Sequence, residues 1–413
     1  MSTHAAKTSS APSWITRGVL GIVLATFFSD VGHEMATATL PMYLSAIGLG
    51  AGALGVMEGL ADLLFSLSKL AGGWVGHHTE KKRGFATLGY LVTALGTGAI
   101  ALTQSLAALV SVRSAAWLGR GFRSPLRDFM LADEVGPTHF GRAYGVERAA
   151  DMLGAVAGPL VAALLLWLGV DLRSVILLSL VPSLLAATSF LSMTRNRPAS
   201  SRASDADPNT ASRRLPRRFW LFTGGVALFG VGDFSRTFLI LLAATTFGET
   251  GRAATGVVST AVLLYAAHNT VSALAAYPAG HLGDRGSKLR VLVFGYGLGV
   301  ATNGLLAFSS AAPSLLVIAV VLSGIYIAIQ ETLEKAVAAE MLPREQRSLG
   351  LGVLASANAV GDMLSSIGVG LLLAAGYRRA AFLIPALCGL AGTFWMLVFE
   401  RRKRAAEPHV PAA

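Results

Sequence analysis

Charge is what this chain has least of. Only 14% of its 413 residues are Asp, Glu, Lys or Arg, and 53% are hydrophobic; a soluble domain carries about 25% charged residues. With a mean hydropathy of +0.59, that shortage excludes an ordinary water-soluble fold and points to a polytopic membrane protein. Cysteine is nearly missing: Cys388 stands alone, so no disulfide can close within the chain. No G-x-x-x-x-G-K-[ST] phosphate loop occurs, which argues against direct nucleotide drive. No nucleophile–base pair is legible, so an enzyme is not expected, and nothing calls for a cofactor. His33 with Met35, or His77 with His78, does not make a metal site, since no Cys or further His lies at ligand spacing.

What charge there is has a pattern. The net charge of +11 comes from basic residues gathered in short segments between apolar runs. That distribution follows the positive-inside rule and needs no nucleic-acid partner. Apolar runs of about 17–27 residues predict spans over 18–44, 52–76, 84–104, 105–125, 142–168 and 172–193, then 217–245, 255–280, 289–308, 313–333, 348–375 and 379–399. The first 14 residues are polar, and the run after Arg17 exceeds the ~7–15 residues of a cleavable signal core. With both termini cytoplasmic, the outer loops keep only Arg173, Arg252, Arg378 and Arg379 of the 34 basic residues. This predicts a 1–17 tail, a six-helix bundle over 18–193, a Ser/Pro/Arg-rich cytoplasmic loop over 194–216, a second bundle over 217–399 and a 400–413 tail.

The two bundles repeat each other. "ADEVGPTHFGRAYG" (132–145) matches "AEMLPREQRSLG" (339–350), "GGWVGHHTEKKRG" (72–84) matches "AGHLGDRGSKLR" (279–290), and "SDVGH" matches "GDFSR", aligning Asp30 with Asp233. The offset stays at about 203–207 residues, as expected of a duplicated six-helix unit.

Charges inside the spans are costly, at least about 2.5–3.5 kcal/mol each on insertion scales. Asp30, His33, Glu34 and Thr37 are spaced i, i+3, i+4, i+7 and share one face of the first span. Glu58, Asp62, Ser66 and Lys69 form a stripe in the second, Arg113, Trp117 and Arg120 in the fourth, and Glu147, Asp151, Gly154 and Gly158 in the fifth. In the second bundle Asp233 pairs its face with Arg236, His268 has Asn269 beside it, Tyr326 shares a face with Gln330, and Asn358 with Asp362. Such groups cannot face lipid; they face a cavity or one another. Pairing alone, for example Arg113 with Asp30, Glu34 or Asp62, would keep the bundle specific. Eight carboxylates against Lys69, Arg113 and Arg236 exceed what pairing requires, so some are expected to exchange protons and to favour cationic or zwitterionic cargo.

These motifs resemble those of major facilitator superfamily transporters over nearly the whole chain. "GHLGDRGSK" resembles that family's loop signature, with Gly280, Asp284, Arg285 and Lys288 in place; the first-half copy keeps Gly73 but has His77 where the Asp belongs. Arg113 followed by "GRG" resembles the buried-arginine motif of the fourth helix. "GAVAGP", with Gly154, Gly158 and Pro159, resembles a motif of proton-coupled exporters, although Val161 and Ala162 replace the usual small pair. The resemblance implies an all-α membrane protein of twelve transmembrane helices in two pseudo-symmetric six-helix bundles. It implies a monomeric inner-membrane transporter that exports small amphipathic molecules against protons by alternating access. An importer or a metal or siderophore permease on the same fold, or a non-transporting sensor, are the alternatives. It also implies a latch: Asp284 should reach the start of the fifth span at Arg142 and Arg148, and His77 the start of the eleventh at Arg347, leaving the second latch weak.

The charge pattern makes a topology prediction. Reporters fused after residue 200 and after residue 405 should both read cytoplasmic, because basic clusters at 213–218 and 401–404 flank those points. A periplasmic signal at either point contradicts the two-bundle arrangement.

Overall fold

The computed structural model describes residues 14–49, 51–197, 214–234, 238, 242, 254–309 and 313–406. Glu58 and Asp62, as side chains, and Arg236 lie outside the described residues. The described residues are mostly helical, joined by short turns, with no strand among them. The first half comprises α1 (Arg17–Ala46), α2 (Ala51–His78), α3 (Lys82–Ala99), α4 (Leu106–Glu134), α5 (Phe140–Trp167), α6 (Leu172–Leu178) and α7 (Leu180–Met193). α6 and α7 are one span interrupted at Ser179, whose hydroxyl donates to Ile176 O at 2.6 Å. The second half comprises α8 (Arg217–Gly230), α9 (Ala254–Arg285), α10 (Lys288–Phe308), α11 (Pro313–Met341), α12 (Arg347–Ala374) and α13 (Arg378–Ala406).

Local chemistry sets the ends. Thr16, Ser105, Asp171 and Ser287 accept from backbone amides in the first turns they precede, the N-cap role of short oxygen-bearing side chains. After α5 and α12 the chain turns through Gly169 (φ 84°) and Gly376 (φ 81°). In each turn the next amide closes on the carbonyl five residues back, at 3.0 Å for Val170 and 2.8 Å for Tyr377. This left-handed stop suits glycine, and its recurrence 207 residues apart shows the duplication in the backbone itself. Leu160, Leu274 and Leu371 stand on the outside, each more than 60% exposed, as a lipid-facing surface permits.

Several helices run past the ends that hydropathy predicted, α4 and α11 furthest. The fourth span was expected to end at residue 125 and the tenth at 333, but α4 continues to Glu134 and α11 to Met341. Their last turns are polar without being solvent loops, because the charges there are buried in pairs. This shifts depth by nine residues in α4 and eight in α11, about 12–13.5 Å at 1.5 Å per residue.

Glycine seams draw the elements together. A Cβ on Gly154 would come within 2.8 Å of Asp30 Cβ, and one on Gly158 within 2.8 Å of Glu34 Cβ. The "GAVAGP" stretch therefore packs on the acidic face of α1. The halves meet at the helix ends that carry the termini. There Gly141 of α5 abuts the carbonyl of Gly280 on α9, and a Cβ on Gly73 of α2 would stand 3.0 Å from Gly352 Cα on α12. Small residues permit this backbone approach.

Candidate functional site

Between the halves lies a cavity of about 380 Å³. Its walls come from α1, α2, α4 and α5 on one side and α9, α11 and α12 on the other. Eight carboxylates and six cations line it. The expected surplus of acid is therefore largely offset, by arginines that hydropathy had assigned to helix ends.

Asp30 is buried and ion-paired with Arg120. Of the three acids that Arg113 could have paired with, Asp30 is taken by Arg120 instead. Asp30 lies 13 residues into α1 and Arg120 14 residues from the matching end of α4, both about 20 Å deep. Arg113 is a further two turns away. It is fully buried, donates to Thr37 Oγ1 at 3.3 Å and lies 5.4 Å from the Trp117 ring. Trp117 also meets His33 and Phe65 edge-on, each with centroids 4.9 Å away.

Beneath Asp30 the charges form a chain that crosses between the halves. Arg120 stands 4.0 Å from Asp151. Asp151 accepts from Arg148 at 2.5 Å, and the same guanidinium grips Glu331 of α11 at 2.6 and 2.9 Å. Beside it Arg127 bridges Asp128 and Glu147, at 2.8 Å to each. Lys335 of α11 reaches the same two carboxylates at 3.7 and 3.6 Å. Sequence reading placed Asp151 here but passed over Arg127, Asp128, Glu331, Glu334 and Lys335.

The second half holds its acids differently. Tyr326 donates to Asp233 at 2.8 Å, and Tyr296, stacked on Phe229, donates to Glu334 at 2.6 Å. Among the described residues no cation stands within ion-pair distance of Glu334, which is 5% exposed. His268 bonds Asn269 and Ser323 at 3.2 and 3.1 Å, linking α9 to α11. Asn358 donates to Asp362 at 3.4 Å, and Gln330 is buried nearby with its amide oxygen unpartnered.

A family model described as Major Facilitator Superfamily matches residues 22–268 and 233–413. The chain belongs to that superfamily. An uncharacterised MFS-type transporter of Methanocaldococcus jannaschii is 25% identical over 360 residues, covering 87% of this chain and 89% of its own. Among solved structures, the E. coli fucose:proton symporter superposes with a TM-score of 0.74 at 15% identity, covering 94% of this chain and 99% of that one. A bacterial homologue of the iron transporter ferroportin, in an outward-facing state, superposes at 0.70 with 16% identity, covering 93% and 100%. At such identities these two show the fold alone. As a superfamily member the protein is an integral membrane transporter of small molecules, not an enzyme.

The superfamily's loop signature makes one full latch. Asp284 accepts from the amides of Gly141 and Arg142 at 2.8 and 2.9 Å and from Arg142 Nε at 3.1 Å, with Lys288 3.3 Å away. It thus caps the amino end of α5 from the other half, where helix dipole and arginine both favour an anion. Arg285 is exposed. On the opposite side His77 does reach the start of α12, but its partner is the carbonyl of Glu345 at 2.8 Å, not Arg347. Arg347 turns away, donating to Ala339 O and Leu342 O and lying over Phe140. That side is not weakly held, as the signature implied: Arg344 forks onto Asp133 of α4 at 2.5 and 2.9 Å.

A double-mutant cycle on Asp284→Asn and Arg142→Gln, read by thermal unfolding in detergent, should return a coupling of about 1–3 kcal/mol. His77→Asp should not stabilise, because it faces a carbonyl oxygen. Additive single effects, or a clear gain from His77→Asp, would contradict this geometry.

Proposed function

We propose that the protein is a proton-coupled exporter of small amphipathic organic molecules, working by alternating access. Residues 18–193 and 217–399 are the two rocking bodies, and 194–216 is the cytoplasmic connection. The protein acts as a monomer in the inner membrane with both termini cytoplasmic. The observation that carries the reading is the unequal treatment of acids lining one cavity. Asp30, Asp151, Asp128 and Glu147 are held by arginine, whereas Glu334 is held by a tyrosine hydroxyl. An arginine-bound carboxylate keeps its charge and can offer it to a cationic or zwitterionic cargo. A buried carboxylate with no cation is a costly group to leave charged, and a proton neutralises it.

Phe65, Trp117 and Tyr265 give the cavity aromatic walls for an apolar cargo body. The packing of "GAVAGP" on the face of α1 that bears Asp30 and Glu34 supports export, since motion along that seam moves the acids themselves. The proposed cavity set is Asp30, His33, Glu34, Glu58, Asp62, Arg113, Asp151, Asp233, Arg236, His268, Asn269, Tyr326, Gln330, Asn358 and Asp362, now joined by Arg120 and Glu334.

Proteoliposomes with an imposed proton gradient, screened against a compound panel, test the reading. Glu334→Gln should lower gradient-driven flux about tenfold or more while leaving cargo-for-cargo exchange in place, a split between driving force and binding. Asp30→Asn removes the close partner of Arg120 and leaves it Asp151, 4.0 Å away; weakening a buried pair in this way should impair both activities. Gradient-independent transport by the unmodified protein would overturn proton coupling.

A further inference from the structure

The second half carries an open cleft at the end of its helices near the termini. Its volume is about 780 Å³, twice that of the central cavity, and within the ~300–1,000 Å³ of small-molecule sites. Arg217 and Arg218 of α8 and Arg402 of α13 stand on its rim. All three are exposed, and none has an acidic partner among the described residues. Arg290 adds a fourth guanidinium, pairing at 3.6 Å with Glu400. The floor is apolar, formed by Leu221, Val337, Met341 and Phe399.

The duplicated half shows what normally fills this notch. Shifted by 207 residues, Val337, Glu340 and Met341 correspond to Met130, Asp133 and Glu134. In the first half, Glu134 grips Arg197 at 2.8 Å and Asp133 O accepts from it at 3.0 Å. Asn196 is tied to the Arg83 amide at 2.9 Å. Only about 10 Å³ is left there. In the second half Met341 replaces the gripping glutamate, and among the described residues nothing fills the notch.

We propose that this cleft binds the headgroup of an anionic phospholipid. The phosphate sits on Arg217, Arg218 and Arg402, and the first acyl carbons cover Leu221 and Phe399. Guanidinium groups match phosphate oxygens in planar, two-point contacts. Cations near an anionic leaflet add to the attraction. The apolar floor and the neighbouring Trp220, 52% exposed on the same first turn, favour a lipid over a soluble anion, since indoles settle at the membrane interface.

Basic helix ends also arise from the positive-inside rule alone, so the test must separate shape from charge. The full chain, purified in mild detergent, is offered phosphatidylglycerol or phosphatidylcholine and examined by native mass spectrometry. The wild type should retain phosphatidylglycerol preferentially. Arg217→Gln/Arg218→Gln should lose that retention about tenfold. Leu221→Trp, which fills the cleft but keeps every charge, should lose it too. Lys81→Gln/Arg195→Gln, which removes two exposed charges from the other half, should not. Full retention by Leu221→Trp, or equal loss in the Lys81/Arg195 control, would overturn the site. Competition by inorganic phosphate at the lipid's own concentration would overturn its assignment to a lipid.

Discussion

The ion-pair chain across the cavity floor is the constraint on which the rest of the molecule turns. Arg148 reaches Glu331, and Lys335 reaches Asp128 and Glu147. Every one of these groups is at least three-quarters buried, and none could face lipid singly without a cost of several kcal/mol. Each half is therefore incomplete alone. The first supplies guanidinium and carboxylate at the floor, and the second supplies the complementary carboxylate and ammonium. Their meeting closes the cavity toward the termini.

Closure of this kind has to be reversible if the cavity is to open on both sides. Pairs satisfied only across an interface suit that need better than an apolar seam, because water can replace each partner when the halves part. The glycine contacts between α5 and α9 and between α2 and α12 let the backbones come close enough for those pairs to form. Asp284 on the α5 terminus and Arg344 on Asp133 tie down the outer rim. Both rim latches are aspartate–arginine pairs that cross between halves, and Asp284 adds two backbone amides to its own.

Much of this was legible in the residues. The constant offset between halves recurs in the turns at Gly169 and Gly376, and the loop signature placed Asp284 at the start of α5, where it meets Arg142 while Arg148 goes to Asp151 and Glu331 instead. The floor was not legible, for a physical reason: hydropathy marks where a helix leaves apolar surroundings, not where it ends. Arg127 and Asp128 looked like helix-end charges, and so did Glu334 and Lys335. A signal was nevertheless present, since "RD" at 127–128 aligns with "EK" at 334–335 at the duplication offset. Charges of reversed sign at matched positions mark an interface that crosses the pseudo-symmetry axis. Arg344–Asp133 was hidden because neither residue belongs to the loop signature.

The most direct measurement is a charge exchange across the floor. In a Cys388→Ala background, Ser124→Cys places a thiol on the cavity wall, and a membrane-impermeant maleimide applied from the side of the termini reports whether the floor is shut. Arg148→Glu and Glu331→Arg should each raise labelling, and the two together should restore protection. Labelling in the single variants equal to the parent, or in the double variant equal to the singles, would contradict the account.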